Sequence, residues 1–225
     1  MPGNSPTTKD RLYDAWASIA KALASPKRLE LLDTLAQGER TVDALAREAG
    51  LTLNNTSAHL KVLKSARLVE SRKTAQFVFY RLADDAVIPV LRGVQTLARR
   101  RLHEVDALAR AYVDARDSLE PIDMAELRRR LKSGDVTLID VRPEAEYEAG
   151  HIAGAKSVPL ETLERRLSAI PKRRPVVAYC RGPYCVLSAG AVEKLRRRGY
   201  RAMRLADGLP DWKAAGLPVA VGAER

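Results

Sequence analysis

The sequence predicts two domains of different class: an α+β domain of helices closed by a strand pair, then an α/β domain with a parallel sheet. Three observations predict this. Apolar residues recur at helical spacing through residues 9–65 and then give way to two short β-rich runs. Residues 117–123, Asp-Ser-Leu-Glu-Pro-Ile-Asp, break the pattern at Pro121. Beyond it, short apolar runs alternate with helical patterns, which places helices on the faces of a parallel sheet. A chain of 225 residues has room for two such domains, expected at 1–118 and 119–225.

Leu12, Trp16, Ile19 and Leu23 give a first helix over Lys9–Ala24. Ser25-Pro26 reads as an N-cap followed by proline at the first helical position. Leu29, Leu32 and Leu35 form the face of that second helix, and Gly38 closes it. Thr41 caps a short helix, Val42–Ala49, that ends at Gly50. A fourth helix, Leu53–Ser65, follows at once. Two short helices around a glycine turn match a helix-turn-helix. Leu68–Arg72 and Phe77–Leu82 read as a hairpin wing around Lys73-Thr74-Ala75-Gln76, a turn without glycine. A long amphipathic helix then runs from Asp84 or Asp85 to about Asp114, with Leu91, Val94, Ala98, Leu102, Val105 and Leu108 in its stripe. Such a stripe needs a partner, expected to be its copy in a second subunit together with the first helix. In the second half, strands are expected at 136–141, ending at 157–159, at 176–179 and at 202–205. Helices are expected at 187–198 and 209–215.

The formal charge of +11 and sequence pI near 9.9 favour polyanionic partners or anionic ligands. Residues 1–120 hold 19 Lys and Arg against 15 Asp and Glu, and residues 121–225 hold 20 against 13, so charge alone does not say which half meets nucleic acid. No apolar run approaches the roughly 20 residues of a membrane span, and the polar start lacks the core of a signal peptide. The expectation is a cytoplasmic protein without a membrane partner. Its two cysteines, Cys180 and Cys185, are too few for a disulfide scaffold and point to chemistry.

On the fourth helix, Leu53, Thr56, Leu60 and Leu63 fall on one side and are expected to pack inward. Asn54, Ser57, Ala58 and Lys61 stay outside, with Asn55 and His59 at the margin. Amide, hydroxyl and imidazole groups read base edges in a major groove. Lys61, Lys64, Arg72 and Lys73 suit phosphates. The stretches Ala22-Leu23-Ala24-Ser25-Pro26-Lys27-Arg28-Leu29 and Thr56-Ser57-Ala58-His59-Leu60-Lys61-Val62-Leu63 resemble the ArsR-type winged-helix repressors. The resemblance covers about residues 10–110 and implies a homodimer on palindromic, double-stranded operator DNA, with a ligand releasing the DNA. Many members of that family sense metals. This half has no cysteine, and its last helix offers His103, Glu104 and Asp106, residues that more often form surface ion pairs than a zinc site. No metal and no cofactor is expected.

In Val176-Val177-Ala178-Tyr179-Cys180-Arg181-Gly182-Pro183-Tyr184-Cys185, a cysteine follows an apolar strand directly. It sits at the strand's carboxyl end, where open α/β sheets bind ligands. Loop amides and the next helix N-terminus favour a thiolate there, and Arg181 adds charge. Leu138-Ile139-Asp140-Val141-Arg142, Glu148-Ala149-Gly150-His151-Ile152-Ala153-Gly154-Ala155, the Cys180 loop and Asp207-Gly208-Leu209-Pro210-Asp211-Trp212 resemble the single-domain rhodanese family over residues 120–220. The full expectation is therefore an α+β winged helix-turn-helix domain followed by an α/β rhodanese-like domain. The resemblance implies that Cys180 carries sulfur as a persulfide and that Asp140, Arg142 and His151 support the site. Phosphatases of this fold close a longer loop with arginine at the sixth position. Here that position is Val186, which argues against phosphatase chemistry.

Cys185 is unusual for the family pattern. A disulfide or polysulfide bridge to Cys180 requires the two Cα atoms to approach within about 7 Å. The alternative is a small buried apolar filler. Two functions follow. One is a repressor that senses sulfane sulfur (thiosulfate, persulfide or polysulfide) or thiol redox state through Cys180 and Cys185. The other is a thiosulfate or persulfide sulfurtransferase that the winged helix only localises or dimerises.

Overall fold

The computed structural model describes residues 7–105, 107–108 and 121–222. The chain forms two compact units, residues 1–87 and 88–225.

In the first unit α1 (Thr8–Leu23) starts with a capping box. The Thr7 hydroxyl accepts the Asp10 N–H, and the Asp10 carboxylate accepts the Thr7 N–H. α2 (Pro26–Leu35) has proline in its first turn, but the Ser25 side chain makes no cap bond, so the expected serine cap is one of backbone shape alone. β1 (Arg40–Thr41) leads into α3 (Val42–Glu48), where the Thr41 hydroxyl accepts the Ala44 N–H. α4 (Leu53–Ser65) is capped in the same way by Thr52 on Asn55 N–H. Leu31, Leu32, Leu45, Leu60 and Leu63 are fully buried and make the core.

Leu53, expected inside, is 50% exposed. It begins α4, and a first-turn side chain leans over the preceding turn instead of onto the core. β2 (Val69–Thr74) and β3 (Phe77–Leu82) form the hairpin, and β1 adds to β3 to give the antiparallel order β1-β3-β2. Pairing continues to Thr74 opposite Phe77, so the connection is a two-residue turn, Ala75-Gln76, rather than four residues. Ala75 takes the left-handed conformation, φ +52°, that a glycine would adopt without strain. β1 was not anticipated, because two residues are too short to show a period.

The second unit opens with α5 (Val87–Arg101), introduced by Asp84 Oδ1 accepting the Ala86 N–H at 2.7 Å. The expected unbroken helix stops at Arg101: Leu102 interrupts it, and residues 103–105 and 107–108 are helical again. Asp106 and residues 109–114 lie outside the described residues. Next come α6 (Met124–Ser133), β4 (Thr137–Asp140), α7 (Glu144–Ala149), β5 (His151–Ile152), β6 (Lys156–Ser157), α8 (Leu163–Arg166), β7 (Val176–Tyr179), α9 (Val186–Arg197), β8 (Ala202–Arg204), α10 (Leu209–Ala214) and β9 (Val219–Ala220).

Four strands make a parallel sheet, β6-β4-β7-β8, and β5 pairs antiparallel with β9. Every residue of β4 and β7 is buried, as in a sheet covered on both faces. Ile139, Ala178 and Leu195 pack in one core, and Leu138, Val177, Tyr179 and Trp212 in the other. Among the described residues no helix is long and apolar enough to cross a membrane.

Candidate functional site

On the first unit, α4 presents the expected polar face. Asn54, Asn55, Ala58 and Lys61 are exposed, Ser57 and His59 are half-buried, and Thr56, Leu60 and Leu63 are turned inward. The basic groups differ among themselves. Lys61 and Lys73 are exposed. Lys64 Nζ donates to Ser71 Oγ at 2.7 Å, which ties the end of α4 to the wing. Arg72 is held by Glu39, with Nε on Oε1 at 2.8 Å and Nη2 on Oε2, and its guanidinium lies 4.7 Å from the Phe79 ring centre. Glu39 lies 33 residues before Arg72, and nothing local in the sequence pairs them. This bond raises the Arg72 pKa, and a phosphate would have to displace a carboxylate to take the fork.

On the second unit, β7 delivers Cys180 at its carboxyl end and α9 begins straight after Cys185. Cys180 is 1% exposed. Its Sγ lies 3.3 Å from Ser188 Oγ and 3.5 Å from the Cys185 carbonyl oxygen. Cys185 is half-buried and N-caps the 12-residue α9 with extended backbone.

The electrostatics run against the expectation of a Cys180 thiolate. Burial pushes the Cys180 thiol well above its ordinary value. The Cys185 thiol is brought down to about 6, first by the hydrogen bond from Cys180 and then by the Arg181 and Leu187 amides, against a cost of burial. The Arg181 and Leu187 amides thus favour the Cys185 thiolate, while the Ser188 amide and hydroxyl favour that of Cys180 against its burial. The Arg181 guanidinium donates to both oxygens of Glu146, at 2.6 and 3.1 Å, and its field reaches both cysteines.

Asp140 and Arg142 are both fully buried and bond each other, Nη2 to Oδ2 at 2.6 Å, while Nη2 also reaches the Gly150 carbonyl at 2.7 Å. His151 is buried and stacked on Tyr147, with ring centres 3.7 Å apart. These three brace the segments around the loop; they are sealed from any ligand.

Sequence reasoning missed four residues at the loop. Ser188 and Glu146 hold Cys180 and Arg181 as described. Asp211 accepts the Gly208 N–H at 3.0 Å and receives Arg92 of α5, Nε on Oδ1 at 2.5 Å and Nη2 on Oδ2 at 3.2 Å. The same Arg92 lies against the loop, since a Cβ on Gly182 would come within 2.8 Å of its Nη2. Asp211 belonged to a quoted motif; Arg92, 119 residues earlier, carried no signal. Among the described residues no group of three or more His, Cys, Asp or Glu side chains could hold a metal ion. His103 and Glu104 are exposed, and Asp106 lies outside the described residues.

Comparison with known proteins agrees with the two halves. A helix-turn-helix domain family matches residues 23–72, and the rhodanese-like domain family matches residues 123–215. The "HTH-type transcriptional regulator Rv0324" of Mycobacterium tuberculosis is 44% identical over 223 residues, 99% of this chain and 97% of that protein. A "Sulfurtransferase" of Allochromatium vinosum is 39% identical over 100 residues, covering 44% of this chain and 92% of that protein. Among solved structures, the homodimeric winged helix-turn-helix DNA-binding domain of Mb0332 from Mycobacterium bovis is 43% identical, covering 45% of this chain and 94% of that one, with a TM-score of 0.41. The chain belongs to the ArsR-type HTH transcriptional regulators that carry a rhodanese-like domain behind the winged helix.

Proposed function

We propose that this regulator is a cytoplasmic repressor that binds operator DNA as a homodimer through Asn54, Asn55, Ser57, His59, Lys61, Lys64, Arg72 and Lys73. In this reading residues 1–118 bind DNA and dimerise, and residues 119–225 sense sulfane sulfur or thiol redox state through Cys180 and Cys185, with Arg181, Asp140 and Arg142 supporting the loop.

One observation carries the sensing half. The two cysteines of the chain share a single loop, and the Cys180 thiol donates to the Cys185 carbonyl at 3.5 Å, so they are placed to share one oxidation. Dimerisation is supported by apolar residues left in solvent: Leu12, Tyr13 and Trp16 on α1, and Val90, Val94 and Leu97 on α5. A second copy of the chain is their proposed cover. The sulfurtransferase reading is favoured by the likeness of the second half to the Allochromatium vinosum protein. In that reading Cys180 carries the persulfide and turns over.

The test pairs mass spectrometry with a shift assay on the protein's own promoter DNA. Polysulfide that modifies the cysteines, releases the DNA and is reversed by a thiol reductant supports the sensor. Turnover with unchanged DNA affinity, retained in Cys185→Ser, overturns it in favour of the enzyme.

A further inference from the structure

Resting on the sensor and dimer readings, we infer that Arg92 is the residue through which sulfur loaded on Cys180 acts on α5, and through α5 on DNA binding. Arg92 stands between the two. The exposed apolar residues Val90, Val94 and Leu97 share one face of α5, the face proposed for the second copy. Arg92 lies about 160° round the helix from Val90 and from Val94, on the opposite side. There Nε and Nη2 fork onto Asp211 of α10 at 2.5 and 3.2 Å, while Nη1 donates to Gln95 of its own helix at 3.0 Å. The side chains are 19% and 8% exposed, so this is an enclosed, bidentate pair and not a solvated one. Because Gln95 ties the guanidinium to α5, the helix takes up any push on it.

The loop has no slack against this pair. Gly182 lies between the two cysteines in the chain and packs so closely on Arg92 that a Cβ there would come within 2.8 Å of Nη2. Gly208 meets the same residue, since its own Cβ would lie 2.4 Å from the Gly182 nitrogen. The Gly208 N–H donates to Asp211 Oδ2, the oxygen that Arg92 Nη2 also uses. Arg92, Asp211 and Gly208 thus frame Gly182.

A load on Cys180 must be felt here. The Cys180 thiolate attacks the terminal sulfur of a persulfide RS–SH. The donor's S–S bond breaks, Cys180–S–SH forms, and RS⁻ leaves and takes up the Cys180 proton as RSH. The new bond adds about 2 Å to the side chain. Cys180 is 1% exposed and shares a core with Ile139, Ala178 and Ala191. A close-packed interior admits another atom only by moving its neighbours. The strand before Cys180 is buried throughout, so the loop after it yields, and Gly182 carries the shift onto Arg92.

The test uses the reduced, full-length protein and glutathione persulfide. Mass spectrometry reads the sulfur on Cys180, and fluorescence anisotropy reads affinity for promoter DNA. Loading should raise the wild-type dissociation constant by about 5–150-fold, the usual span of coupling between two sites. Arg92→Gln, compared at equal loading, should reduce that change to below about twofold. The readout is a ratio between two states of one variant, so a general loss of stability does not imitate it. A wild-type ratio in Arg92→Gln overturns the inference.

Gly182→Ala supplies a second arm without sulfur. Its Cβ presses on Nη2 as the load would, so the unloaded variant should bind DNA at least about threefold more weakly than the wild type. Adding Arg92→Gln should restore the affinity. Wild-type affinity in unloaded Gly182→Ala, or no restoration in the double variant, also overturns the inference while the sensor reading stands. If the wild type does not load, or loads with its DNA affinity unchanged, the sensor reading falls and this inference with it.

Discussion

Gly208 is where the tail of the second unit touches the cysteine loop most closely, so Gly208→Ala is the sharpest probe of that contact. A Cβ there would sit 2.5 Å from the Arg181 carbonyl oxygen and would also meet the Arg181 carbonyl carbon and Gly182 nitrogen, all backbone atoms. Real Cβ contacts begin at 3.0 Å and are ordinary from 3.4 Å, so the loop must retreat by roughly 1 Å. The backbone of Gly208 is extended, with φ −125°, so the cost is one of overpacking and not of conformation. Overpacking of this kind costs about 1–3 kcal/mol. The retreat also strains the Leu209 N–H bond to the Cys180 carbonyl, now 3.3 Å, which adds about 1 kcal/mol if lost. With a urea slope of about 1–3 kcal/mol per molar, the midpoint should fall by about 1 M. Tryptophan fluorescence reads it, because Trp212 is 3% exposed inside the second unit whereas Trp16 is 59% exposed. Iodoacetamide labelling of Cys185 at pH 6 should slow as the Arg181 amide moves off its sulfur. A wild-type midpoint together with wild-type labelling would refute the argument that backbone contact at Gly208 sets the loop.

Arg142→Met removes one member of a fully buried ion pair and leaves Asp140 uncompensated; a loss of about 3–5 kcal/mol is expected in the same urea titration, and a loss below 1 kcal/mol would show that the pair is dispensable. Lys61→Ala should weaken operator and random DNA alike and lower the slope of log affinity against log salt by about 1, whereas Asn54→Ala should cost about 1–3 kcal/mol on the operator alone; fluorescence anisotropy on both DNAs separates the two. Trp16→Glu places a charge on the exposed apolar face of α1, and sedimentation should then show monomer at concentrations where the wild type is dimeric. Arg92→Ala leaves the Asp211 carboxylate, 8% exposed, without its cation, and should cost about 1–3 kcal/mol in the second unit's melt; an unchanged melt would mean the pair contributes nothing there.

What the sequence carried was chiefly local. Thr41 and Pro26 mark helix starts within one turn of themselves, and the buried runs 137–140 and 176–179 announce strands covered on both faces. The cysteine loop was legible because strand, cysteine and helix are contiguous. What was lost depends on contacts distant in the chain. Glu39 captures Arg72 across 33 residues, and Arg92 reaches Asp211 across 119. The ranking of the two sulfurs was lost for a related reason. Which thiol is buried depends on the core that Cys180 joins, with Ile139, Val158 and Leu195 from other segments, and position in the loop does not encode it. The wing turn was obscured because Ala75 adopts a conformation its residue type disfavours.

Arg92 joins α5 to the loop through the Asp211 carboxylate, which also fixes Gly208. If the state of the cysteines alters DNA affinity through that contact, the influence has to run in both directions, since a coupling free energy between two sites is reciprocal. Operator DNA would then act on the sulfurs as they act on it. A regulator seated on its promoter would hold its loop in the reduced form more firmly than a free copy, by the same factor as bridging weakens its grip. Free molecules would be oxidised first and the seated ones last, so the promoter itself would set how much donor is needed before the gene responds.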